Sequence, residues 1–99
     1  MDAKPTYMKI RLSGGEAHCY LIPIEPAPLI VIAARRGFVM CGYLDMRAVE
    51  EMGVAAAKVR GVHSFNDVLN AQIVEATSCA RQMGVSVGMR GKDALERMC

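Results

Sequence analysis

Two apolar runs, Leu29-Ile30-Val31-Ile32-Ala33-Ala34 and Phe38-Val39-Met40-Cys41-Gly42-Tyr43-Leu44, are separated by only Arg35-Arg36-Gly37. Neither run carries a polar face, so the pair reads as a hairpin of strands that must be covered front and back. Gly37 is expected to supply a positive φ for the tight turn, with the two arginines solvating its tip. Asp45 then follows as a helix cap, because a carboxylate suits the free amides of a first helical turn. Cys41, one residue before Gly42, is thereby placed inside or beside the core.

Upstream, Tyr7 to Leu12 alternates, with Met8, Ile10 and Leu12 on one face and Tyr7, Lys9 and Arg11 on the other. Ser13-Gly14-Gly15 marks a turn into a second strand from Glu16 to Ile24, and Pro23, Pro26 and Pro28 stop its pairing. The first four strands therefore form an antiparallel meander. Downstream, Met46, Val49 and Met52 recur at helical spacing up to Gly53, and Ala57 to Arg60 alternates as a fifth strand. Ser64 with Asp67 resembles a capping box for a helix over 65–70. A longer helix is predicted from Ile73 to Met83, with Gly84 as its stop, then a strand over 85–87 and a last helix from Gly91.

Strands first and helices later predict a single α+β domain spanning residues 1–99. Its core is a mainly antiparallel sheet of about five strands, packed with three or four short helices from the C-terminal half. The chain is 53 % hydrophobic before Gly is counted, against about 45–50 % usually with Gly included. That excess predicts a homo-oligomer, in which a second subunit covers the remaining sheet face.

Composition also narrows the function classes. The formal net charge is +2 and only 5 % of residues are aromatic, with no Trp, so nucleic-acid binding is not expected. Arg35, Arg36, Lys58 and Arg60 would form a basic patch only if the hairpin tip lay near the fifth strand. The charged start, Met1 to Pro5, is no signal peptide, and no apolar run is long enough to span a membrane, so a cytoplasmic protein is expected. Cys19, Cys41, Cys79 and Cys99 lie far apart, without C-x-x-C pairs or histidines at ligand spacing. Reduced thiols, no metal site and no cofactor follow.

The ordered motifs Met40-Cys41-Gly42-x-Leu44-Asp45, Gly61-Val62 with Asp67-x-Leu69, Gly84-Val85-x-Val87-Gly88-Met89 and Ala94-Leu95 resemble the YunC-like family of small archaeal and bacterial proteins of unknown function. The resemblance covers residues 29–98 and implies a small cytoplasmic α+β domain. It implies no reaction and no catalytic residue, so candidate sites rest on the chemistry of the residues alone.

Cys41 is a candidate nucleophile if a base, His18 or His63, reaches it. The alternative is a small buried hydrophobe, the usual fate of a free cysteine. Asp45 could act as a general base, although its cap position accounts for it without catalysis. Gly88, Arg90, Gly91 and Lys92 could bind an anion on the amides of a Gly-rich turn. A nucleotide loop is not expected there, because Ser86 stands in place of its first Gly and Asp93 in place of its Ser or Thr. His18, on a strand face with Tyr20, is expected to be a hydrogen-bonded structural residue. The leading expectation is a non-enzymatic oligomeric module that binds a small molecule or anion, or a protein partner. A small thiol-dependent or hydrolytic enzyme centred on Cys41, with Asp45 and His63, is the alternative.

Overall fold

The computed structural model describes residues 4–99, and the expectation for the first three residues lies outside them. Six strands form one sheet in sequence order: β1 (Thr6–Leu12), β2 (Gly15–Ile22), β3 (Leu29–Ala33), β4 (Gly37–Met40), β5 (Ala55–Lys58) and β6 (Glu75–Ala76). Four short helices accompany it: α1 (Met46–Met52), α2 (Phe65–Asn70), α3 (Ser78–Gln82) and α4 (Gly91–Arg97). The domain is α+β, and β1 to β4 make the expected antiparallel meander. Strand β5 pairs parallel to β4, with Val39 opposite Ala57, because α1 carries the chain back to the starting edge of β4.

The hairpin face bearing Ile30, Ile32 and Val39 is fully buried, as the apolar runs require. Its other face is only half covered: Phe38 and Met40 pack under α1 with Leu44, Val49 and Ala56, while Leu29, Val31 and Ala33 are half-buried. Strand β5 is buried throughout, and its alanines let helices approach on both sides. Ala57 joins the main core; Ala56 joins the smaller core beneath α1.

The caps follow the sequence closely. Asp45 accepts from the amides of Arg47 (3.0 Å) and Ala48 (3.3 Å), and Gly53 closes α1 at φ 73°. Ser64 Oγ accepts from the Asp67 amide at 3.1 Å. The reciprocal bond is displaced by one residue, since Asp67 Oδ2 accepts from the His63 amide at 3.0 Å.

Several expectations are corrected. The segment 73–83 is not one helix: residues 75–76 pair with β5 as β6, and only Ser78–Gln82 is helical. Thr77 is the cause. Its buried Oγ1 donates to the Val54 carbonyl (2.8 Å) and accepts from the amides of Ala56 (3.0 Å) and Ala80 (3.3 Å). One hydroxyl thus ties the start of β5 to the cap of α3. Residues 85–87 form no strand. Gly37 has no positive φ; a side chain there would meet the Ala55 carbonyl at 2.6 Å and Met98 Sδ at 2.5 Å. Arg36 does not merely hydrate the hairpin tip: its Nε donates to the Cys99 carbonyl (3.0 Å) and its Nη2 to that of Arg97 (3.1 Å), holding the end of α4.

The conditional basic patch is absent as well. Because β4 and β5 run parallel, Arg36 lies at their starting ends and Arg60 beyond the finishing end. Lys58 is buried between them and pairs with Glu75 at 3.6 Å.

Candidate functional site

Strand β4 ends at Met40, and the chain then turns through residues 41–44, closed by the Leu44 amide on the Cys41 carbonyl at 3.1 Å. That turn removes the Cys41 carbonyl from the ladder, leaving the Ile30 amide without its expected backbone acceptor. The thiol fills the vacancy: Ile30 N–H donates to Cys41 Sγ at 3.4 Å, while the Cys41 amide donates to the Ile30 carbonyl at 3.1 Å. Cys41 is 3 % exposed and belongs to the main core.

From here the chain enters α1 on the half-covered face. The chain leaving β5 instead turns at Gly61, φ 70°, and enters α2 on the fully buried face, where Val68 joins the main core. Two parallel neighbours whose connections depart to opposite faces open a crevice beyond their carboxyl ends, the usual ligand position in sheets with such a reversal. A cleft of about 320 Å³ lies there. Residues 41–43, 60–63 and 27–28 line it.

Cys41 and His63 therefore meet in one cleft, although no hydrogen bond joins them. Asp45 stands outside its lining and serves α1. Tyr43 leans across the cleft edge, its hydroxyl donating to the Ala27 carbonyl at 2.8 Å. Sequence reasoning missed the contributions of Tyr43, Gly61 and Val62, and considered Arg60 only as a member of a conditional basic patch. His18 has a separate role on β2: its Nδ1 lies 2.6 Å from the Tyr7 hydroxyl and its ring stacks on Tyr7.

Gly88, Arg90, Gly91 and Lys92 are not brought to this cleft. The Gly88 amide donates to the Ile73 carbonyl and the Gly91 amide to that of Ala71, both at 2.8 Å. Arg90 lies 3.9 Å from Asp93. Gly91 is required sterically, since a Cβ would collide with the Val68 carbonyl across α2. Among the described residues, no three His, Cys, Asp or Glu side chains cluster as a metal would need, and no helix is long and apolar enough to cross a membrane.

A second groove of about 410 Å³ lies at the opposite end of β4 and β5, beside Arg36 and Cys79. Its arginine is already engaged with the end of α4.

These features define a class: a small α+β domain in which a four-stranded meander is extended by a parallel strand, with a cleft at their junction. Residues 40–98 match the family described as "Domain of unknown function (DUF1805)", and the chain belongs to that family. It is similar to the uncharacterized protein YunC of Bacillus subtilis, 28 % identical over 93 residues that cover 90 % of this chain and 92 % of that protein. It is also similar to the crystal structure of a protein of unknown function, TA1206, from Thermoplasma acidophilum. That match has a TM-score of 0.92 and 28 % identity, covering 97 % of this chain and 94 % of the other. The YunC-like resemblance is thus correct, and the activity of these relatives is unknown.

Proposed function

We propose that this protein is a cytoplasmic, self-associating module that binds a small metabolite in the cleft beyond β4 and β5. The observation that carries this reading is the placement of the cleft where consecutive parallel strands send their connections to opposite faces. Its volume of about 320 Å³ lies at the lower end of the ligand-pocket range, roughly 300–1,000 Å³. Apolar walls from Ala27, Pro28 and Val62 supply area for burial, while Arg60 and His63 supply polar groups at the rim.

Gly42 provides a direct test. It lines the cleft, has no positive φ, and a Cβ there would meet nothing within 4 Å. Gly42→Leu should therefore fold normally while occupying the cleft. In a metabolite thermal-shift screen, hits should raise the melting temperature of the wild type and not that of Gly42→Leu. Hits that stabilise both equally would refute the cleft as the binding site.

The thiol enzyme is a second reading, favoured by the meeting of Cys41 and His63 in one cleft. The bond from Ile30 to a thiol that is 3 % exposed supports the binding reading instead, because that sulfur already has structural work.

Self-association is supported by the β1–β2 arm. On one face of that arm, Tyr7, Tyr20 and Ile22 are 55 %, 45 % and 45 % exposed. With about 200 Å² per large side chain, they leave roughly 300 Å² of apolar surface. That matches the low end of the largest patch on a typical monomer, about 300–600 Å², and is over a third of the roughly 800 Å² each partner buries in a standard interface. A second copy of the same arm would complete it.

A further inference from the structure

We infer that the cleft beyond β4 and β5 takes an oxyanion, a carboxylate or phosphate group carried on a short apolar body. The inference rests on the proposed ligand site and concerns the chemical class of its occupant. Three observations converge. First, Arg60 is exposed at the cleft and makes no ion pair or side-chain hydrogen bond among the described residues. The other cleft-forming loops contribute no carboxylate to its lining.

Second, among the described residues the amides of Gly42 and Tyr43 on one side, and of Arg60, Gly61 and Val62 on the other, enter no backbone hydrogen bond outside helices and strands. Among the described residues no side-chain acceptor takes them either; Asp67 is engaged by the His63 amide at 3.0 Å. Successive amides around a left-handed glycine form a concavity with partial positive charge, suited to an anion. Gly61 at φ 70° supplies that conformation. Third, Ala27, Pro28 and Val62 give the cleft an apolar wall beside Arg60 and His63, lining the space that the rest of a ligand would fill.

A charge-assisted pair with Arg60 would then fix the head group, bidentate where geometry allows. The apolar floor would select against free inorganic anions. Cys41 contributes wall rather than charge, as its sulfur already accepts from Ile30.

The test is an amide-resolved NMR titration of the full chain with inorganic phosphate, benzoate and uncharged benzamide at constant ionic strength. Saturable shifts confined to residues 42–43 and 60–62 are expected with benzoate, weaker ones with phosphate, and none with benzamide. Arg60→Gln should weaken benzoate binding about tenfold or more, since hydrogen bonds to charged groups contribute roughly 1.5–3 kcal/mol, and should leave the spectrum elsewhere unchanged. A phosphate preference over benzoate would overturn the apolar-body part of the assignment. Equal binding of benzamide and benzoate, or an Arg60→Gln affinity matching wild type, would overturn the oxyanion class while leaving the cleft as a ligand site. Saturation by neither anion at these amides would overturn it too, and the Gly42→Leu thermal-shift comparison then decides separately whether the cleft binds anything.

Discussion

Thr77→Val isolates the buried hydroxyl that joins β5 to α3. The substitution keeps the shape of a side chain that is 1 % exposed and removes three hydrogen bonds at once. The buried Ala56 amide loses its acceptor, a loss of about 1–3 kcal/mol. Removal of the α3 cap contributes about 1 kcal/mol more, and the Val54 carbonyl about 0.5–1 kcal/mol. A total near 4 kcal/mol is expected from these contributions, about 15–20 °C in melting temperature for a domain of this size. Thr77→Ser keeps every bond and deletes one methyl group, which should cost about 1 kcal/mol. Urea unfolding of the two variants beside wild type measures the difference directly. If Thr77→Val lies within about 1 kcal/mol of Thr77→Ser, the hydroxyl is not the tie between β5 and α3.

Three further outcomes are expected. A thiol reagent at neutral pH should modify half-buried Cys79 and Cys99 in the native protein and leave Cys19 and Cys41 untouched until unfolding; rapid native labelling of Cys41 would favour the thiol enzyme. Burial pushes the Cys19 thiol above its ordinary pKa. The folded state therefore holds that proton after the unfolded chain has released it, so stability is retained below about pH 8.5 and declines as pH rises above it. Urea midpoints should fall more steeply there for wild type than for Cys19→Ala, and parallel curves would contradict this. Light scattering at micromolar concentration should give a mass of two chains or more, reduced by Tyr20→Glu; a single-chain mass for wild type would remove the self-association proposal.

Much of the scaffold could be read locally. Strict alternation in β1 and β2, the turn at residues 13–15, and the caps at Asp45 and Ser64 are each written within a few residues. The segment from Ile73 to Met83 failed because Ile73, Ala76, Thr77 and Ala80 are all buried, a spacing that a helix also satisfies. What decides between the two is the open edge of β5, far upstream in the chain, which pairs Ala57 with Ala76 and Lys58 with Glu75. The cleft was legible only in part. Cys41 and His63 could be singled out one by one, but their meeting depends on β5 running parallel to β4. Nothing in the local pattern of 55–60 specifies that direction, so Arg60 was grouped with Arg36, which the parallel pairing sends to the other end.

The cleft has three walls drawn from segments 27–28, 41–43 and 60–63, and no two of them are neighbours in sequence. A molecule seated among them would span the seam between the early meander and the later half of the chain. Occupancy would then act as a clasp: peeling β5 away from β4 would require ejecting the guest first. Hydrogen exchange at Val59, whose amide donates to Met40 across that seam, is where such a clasp would slow solvent entry most.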